Sequence, residues 1–351
     1  MIIALHRSLL ACGLYLSLSA ASPANFLGVD SLANANTKWE FEALAGTPTM
    51  EHQNSRLEFL VGAPEATNRG GYQWLPNGGS YYEGWYVQVE ANLKQGVIPD
   101  NSQLEAGLQV QGTSVNTGTC SQMLHRGRFL GTDRSSLVFR KGDVFVSGTS
   151  TKAKTAKLRI HFDPISKLLY GSVNTGSGWE YSTLPVAVYP WGMHGTDTFK
   201  VSLVAGNSAQ VGGGLSLFPG AVYFKDFRAG PATSEIDVRQ IPGKHLRDGA
   251  NTTNFGTVAV GKSSTKTYSV LNEGTAPLKK LKVVIDGRNA KDFRVTTALT
   301  STTLNPGISQ KFKVSFQPTA GKGTRKAKLH ILSNDPNEAS FDISLEAKAT
   351  K

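Results

Sequence analysis

Six residues in the first two thirds of the chain combine an aromatic face or a polar tip with a turn-like setting. Trp74, Tyr81 and Tyr82 flank the turn Pro76-Asn77-Gly78-Gly79, and Trp191, His194 and Asp197 fall within Tyr189-Pro190-Trp191-Gly192-Met193-His194-Gly195-Thr196-Asp197. An aromatic face stacks on the apolar side of a sugar ring, while imidazole and carboxylate hydrogen-bond its hydroxyls. These six are therefore candidate ligand-binding residues, and the chemistry they suggest is glycan recognition. A competing reading of the second group is a turn whose tryptophan folds over the core. Trp85 stands apart, because it alternates with Val87 and Val89 and is expected inside.

Catalytic patterns are missing. A retaining glycosidase needs two carboxylates flanking one bond, and no Glu-x-Asp-x-x-Glu run occurs; Glu40 with Glu42 and Glu83 with Glu90 are the nearest acidic neighbours. The histidines (His6, His52, His125, His161, His194, His245 and His330) show no i, i+4 pair of the helical metal-site type. No Gly-x-Ser-x-Gly elbow is present. The expectation is a protein that is not an enzyme, with no catalytic residue and no metal or other cofactor.

Something rigid must position those loops, and the pattern is that of strands. Runs such as Tyr82 to Glu90, Leu104 to Val110, Lys157 to Phe162, Phe199 to Val204 and Ala221 to Phe227 alternate apolar with polar residues. Turn signals separate them, among them Thr175-Gly176-Ser177-Gly178 and Gly212-Gly213-Gly214. Ten or so such strands over about 25–230 imply two packed antiparallel sheets. The chain has 351 residues, 37 of them Gly, enough for two domains with separate cores.

From Arg159-Ile160-His161-Phe162-Asp163-Pro164 through Tyr170-Gly171-Ser172, Gly178-Trp179 and Phe199 to Leu203, up to Val222-Tyr223-Phe224-Lys225-Asp226-Phe227, the chain resembles the later half of a concanavalin A-like lectin/glucanase jelly roll. The resemblance implies a jelly-roll sandwich over 22–230. It also admits calcium, which lectins of this fold often bind, although no clustered Asp loop supports that ion here. Residues 231–250, bracketed by Gly230-Pro231 and Pro242-Gly243, read as a linker.

The remainder, 251–351, carries a more ordered set of motifs: Phe255-Gly256 with Val260-Gly261, then Asn272-Glu273-Gly274 leading to Leu278, Phe316-Gln317-Pro318-Thr319, and Ser333-Asn334-Asp335-Pro336. This segment resembles the ASH-type (ASPM/SPD-2/Hydin) immunoglobulin-like domain, including the exported bacterial versions known as choice-of-anchor D proteins. The residues themselves argue the same fold. Thr267 to Val270 and Phe312 to Phe316 place alternate side chains on one face, and Asn334-Asp335-Pro336 offers side-chain oxygens to cap turn amides. The fold class expected is all-β, a jelly-roll sandwich followed by an immunoglobulin-like sandwich.

Residues 1–21 read as an export signal: a weakly positive start, an apolar stretch from Ser8 to Leu18 too short to span a bilayer, then Ser19-Ala20-Ala21 for cleavage. Leu9-Leu10-Ala11-Cys12 also resembles a lipidation motif with a very short lead. If Cys12 departs with the signal, Cys120 remains alone and no internal disulfide forms. No later segment has transmembrane length. No sorting signal follows the final strand-like run, which points to secretion or a retention mode other than covalent anchoring.

Net charge is +11, and its placement is uneven. From Glu235 onward 19 Lys and Arg face 10 Asp and Glu, whereas the rest holds 18 against 16. The basic character thus belongs to the C-terminal segment, as either a solubility device or a contact for an anionic neighbour. The expected function is an exported, extracellular or cell-surface binding or adhesion protein, with polysaccharide or another anionic envelope polymer as partner and no nucleic acid. A diverged glycan-active hydrolase and a purely structural assembly subunit are the alternatives.

Overall fold

The computed structural model describes residues 28–61, 67–114, 116, 118–194, 197–209 and 217–351. The signal at 1–21, Cys12 and the Gly212-Gly213-Gly214 turn lie outside the described residues. Among the described residues the chain is all-β, with two 3-10 turns at Tyr189–Trp191 and Ala290–Asp292. No described helix is long and apolar enough to cross a membrane.

The first domain is a double sheet. One sheet runs Glu180–Tyr181, Leu168–Asn174, Thr155–Asp163, Trp85–Leu93, Val222–Pro231, Arg56–Val61, Pro48–Gln53, with Gly28–Asp30 added beside Val222–Pro231. The opposing sheet runs Val144–Ser150, Thr132–Lys141, Thr119–Phe129, Ser102–Gly112, Thr198–Ala209, Asn68–Trp74, Trp39–Ala45. Chain neighbours such as Trp85–Leu93 and Ser102–Gly112 sit in opposite sheets, the connectivity of a jelly roll. Strand period explains the core. Trp85, Val87 and Val89 point in from one sheet and Leu104, Leu108 and Val110 from the other, all fully buried. Trp85 stacks on Phe162 at 5.6 Å and sits 5.0 Å from Phe199.

The second domain opposes a five-stranded sheet, ordered Lys244–His245, Ile236–Gln240, Ser264–Asn272, Ser309–Phe316, Phe293–Thr297, to a four-stranded one, ordered Thr252–Ala259, Ser340–Thr350, Gly323–Leu332, Lys282–Asp286. Its core stacks Tyr268 on Phe312 at 5.1 Å, with Phe316, Ile331 and Ile343 fully buried around them. The expected linker at 231–250 is corrected here. Ile236–Gln240 is a strand paired with Ser264–Asn272, and Ile236 and Val238 enter the second core. Two apolar residues at period two suffice for that, and the flanking Pro and Gly form turns instead of a flexible tether.

The C-terminal motifs act as ties. Asp335, 2% exposed, accepts from the backbone N–H groups of Ile236 (2.7 Å), Asn337 and Glu338. Asn334 bonds the segment around Pro277 and Lys279. Cys120 is buried and unpaired, and burial pushes its thiol well up, so it is an inert core residue.

On the outer face of the four-stranded sheet His330 lies between Asp342 (2.8 Å) and Asp286 (3.1 Å). Hydrogen bonds to those carboxylates raise its pKa above the ordinary 6.5. A raised pKa contributes stability that is fully present below 6.5 and lost as pH climbs through the folded value. Thermal unfolding of the C-terminal domain is therefore expected to fall by about 2–5 °C between pH 6 and 8. His330→Gln should flatten that dependence; an equal pH slope in the variant would refute the assignment.

Candidate functional site

The face of the nine-stranded sheet that points away from the core carries a polar cleft of about 330 Å³. Its floor is set by register. Gln88 stands opposite Arg159 and Arg228, Glu90 opposite Lys157, and Lys157 opposite Asn174. These are the partners of the inward residues one step along each strand, so the alternation that buries Trp85, Val87 and Val89 also presents Tyr86, Gln88 and Glu90. A bulge between Lys225 and Arg228 shapes one wall. Asp226 there adopts φ 53°, a left-handed conformation Asp tolerates, which leaves its side chain in the cleft while Phe227 turns into the core.

Arg159 organises the cleft. Its guanidinium lies 3.6 Å from the Trp179 ring centroid and 5.6 Å from that of Tyr86, and its Nε and Nη2 donate to Gln88 Oε1 at 3.2 and 3.0 Å. Burial lowers its pKa from the ordinary value, countered by Tyr181, Tyr86 and Glu273. A planar cation held against an indole leaves the ring fixed in place as a wall. The remaining groups are an amide (Asn174), two carboxylates (Glu90, Asp226) and two further cations (Lys157, Arg228). Such a surface can donate and accept many hydrogen bonds and present excess positive charge.

Arg159 also reaches the second domain, where its Nη1 donates to the Glu273 carbonyl at 3.5 Å. The Tyr181 hydroxyl lies 2.9 and 3.1 Å from the Glu273 and Gly274 carbonyls, and burial pushes its pKa to about 12, so it stays a donor.

The six residues singled out from the sequence are placed differently. Trp74 is 4% exposed, wedged against Trp39 and Phe227 at 5.0 Å each, so its faces are unavailable for stacking on a ligand. Trp191 is 3% exposed and packs towards Phe199, as the competing turn reading had it. Both exposed-platform expectations are thereby corrected. Tyr81 is half-buried against Phe162, while Tyr82 is 56% exposed, and Lys167 Nζ sits 4.0 and 5.1 Å from their rings. His194 is exposed and pairs with Asp197 at 3.3 Å in one turn. None of the six lines the cleft.

Glu105 forms a second polar cluster, on the outer face of the other sheet, with Arg69 and His125 at 3.4 Å and Arg140 at 3.8 Å. Burial drives the His125 pKa down to about 4 against the pull of Glu105, so the imidazole is neutral at pH 7 and the ion pairs of the cluster are those of Glu105 with Arg69 and Arg140. Among the described residues no group of three or more His, Cys, Asp or Glu is arranged to hold a metal.

Residues 248–348 match the family model of the HYDIN/CFA65/VesB-like Ig-like domain. The C-terminal sandwich is thus an immunoglobulin-like domain. No curated protein matches the chain by sequence. Among solved structures, a lectin from Bauhinia forficata in complex with GalNAc is 10% identical, with a TM-score of 0.38 over 59% of this chain and 99% of that one. The CBM2 module of the evolved Dit of Lactobacillus casei BL23 phage J-1 is 10% identical, with a TM-score of 0.39 over 58% and 94%. A bifunctional GH43-CE protein of Bacteroides eggerthii is 12% identical, with a TM-score of 0.37 over 67% of this chain but 31% of its own length.

Proposed function

We propose that the protein is an exported, non-catalytic glycan-binding protein whose first domain grips polysaccharide in the Arg159–Trp179 cleft. The observation that carries this reading is the cleft itself: an indole pinned by a guanidinium, surrounded by amides, carboxylates and cations, at a volume of about 330 Å³ that falls in the range of ligand sites. Lys157, Arg159 and Arg228 outnumber Glu90 and Asp226, which favours acidic sugars. The basic C-terminal domain supports the same partner class, since Lys311, Lys313 and Arg294 stand exposed on one face of its five-stranded sheet. It serves as a spacer that also contacts anionic polymer. The apolar run ahead of Ser19-Ala20-Ala21 supports export to the cell surface or medium.

Glu90 and Asp226 face one cleft, which keeps glycan hydrolysis as the reading to exclude. On a panel of neutral and uronate-containing polysaccharides, Trp179→Ala is expected to weaken binding about tenfold. Unchanged binding would sink the cleft assignment. Release of reducing ends that disappears in Glu90→Gln would replace binding with hydrolysis.

A further inference from the structure

Two residues along the strand from Arg159, on the same outward face, His161 meets the second domain. Its imidazole is fully buried and lies on Tyr170 at 5.0 Å with the rings nearly parallel. Neither ring nitrogen has a hydrogen-bond partner. The ring lines a pocket of about 160 Å³ at the junction of the domains, with Pro164 and Tyr170 on the first-domain side and Ala276, Pro277 and Pro306 on the other. None of these residues belongs to the Arg159–Trp179 cleft.

Burial pushes the His161 pKa down to about 3, and the charge of Arg159 adds to the effect. The imidazole is therefore neutral at pH 7 and offers one donor and one acceptor. The other walls are chiefly proline rings, alanine and an aromatic face, which present flat apolar surface. A cavity of about 150 Å³ accommodates one benzene ring. A buried polar side chain normally has a partner, and His161 is among the residues lining a space the size of a single ring.

We propose that this interdomain pocket binds one aromatic ring bearing a single hydrogen-bonding substituent, the ring lying among the prolines and the substituent bonded to a nitrogen of His161. The chemistry is that of a phenol, whether a free small molecule or the side chain of a tyrosine on a partner. An occupant touches both domains, so it stabilises their junction as its concentration rises.

Phenol titrated into the full-length protein is the probe, followed by nitrogen NMR of the His161 ring and by calorimetry. Phenol should bind with a roughly millimolar dissociation constant and shift the His161 nitrogens. His161→Phe keeps the ring stack on Tyr170 but removes both nitrogens. It should weaken phenol about tenfold and leave toluene unchanged. Ala276→Leu fills the pocket from the second domain and should abolish binding of both, which keeps the test valid should the His161 variant fold poorly. N-acetyltyrosinamide binding at the same nitrogens assigns a protruding side chain, and binding of phenol alone assigns a free molecule. Unmoved His161 nitrogens, or phenol bound equally well by both variants, would overturn the site.

Discussion

Asn272→Ala is expected to destabilise the C-terminal domain by about 3–5 kcal/mol. Its side chain is fully buried and joins three stretches of backbone. Nδ2 donates to the carbonyls of Ala276 (2.8 Å) and Leu304 (2.9 Å), and Oδ1 accepts from Gly274 N–H (3.0 Å) and Glu235 N–H (3.5 Å). Alanine leaves two carbonyls and two amides without these partners. Each buried orphan costs about 1–3 kcal/mol, and relaxation recovers part of the sum. That loss is a large share of the roughly 5–15 kcal/mol a domain holds. Urea unfolding measures it, and Asn272→Asp, which sets a buried carboxylate oxygen against the Ala276 and Leu304 carbonyls, should be no more stable than the alanine variant. A loss under about 1 kcal/mol for Asn272→Ala would show that the backbone closes these turns unaided.

The second large effect is expected at Glu58, a fully buried carboxylate on the outward face of the first domain. It accepts from Arg56 Nε and Gly220 N–H at 2.7 Å, Gln53 at 2.9 Å and Asn54 at 3.1 Å. The Arg56 guanidinium rests 4.1 Å from the Tyr223 ring. Glu58→Ala strips the partner from a part-buried cation and three amide donors, a change worth about 3–5 kcal/mol. Burial alone raises the Glu58 pKa, but the hydrogen bonds from Asn54, Arg56 and Gly220 outweigh it and hold the pKa below the ordinary 4.5. A lowered pKa contributes stability above the unfolded value and loses it as pH falls through the folded one. The wild-type first domain should therefore weaken below about pH 4.5, and Glu58→Gln should be less stable at pH 7 yet flatter in acid. Parallel acid profiles for the two proteins would contradict this.

Strand alternation made both sandwiches legible from the residues. Trp85, Val87 and Val89 announced a core face, and the ordered C-terminal motifs announced the second domain. The same alternation contained half of the cleft, since inward 85, 87 and 89 require outward Tyr86, Gln88 and Glu90. What local pattern did not disclose is which distant strand lies beside them. Arg228 and Asp226 join Gln88 and Glu90 from well over a hundred residues away through register, and Asp226 through a bulge. The tryptophans misled for a packing reason. Trp74 and Trp191 neighbour glycine-rich turns, which suggested exposure. In fact Gly28 and Gly118 lack a side chain because the indoles press on them; a Cβ on Gly28 would sit 2.6 Å from Trp74 Cζ2. A glycine beneath an indole and a glycine in an open loop look alike in a string of letters.

The parallel pairing of Thr252–Ala259 with Ser340–Thr350 has a consequence for how the chain is made. The strand Ser340–Thr350 lies in the interior of its sheet, between Thr252–Ala259 and Gly323–Leu332. Val222–Pro231 holds the equivalent place in the first domain, between Trp85–Leu93 and Arg56–Val61. Each sandwich thus waits for its own last strand before either of that sheet's halves has a partner. During synthesis the first domain can close only when residue 231 has emerged, and the second stays open until the ribosome has delivered 340–350. Such long-range closure is slow, and for most of translation the nascent chain offers unpaired strand edges to whatever factor handles it.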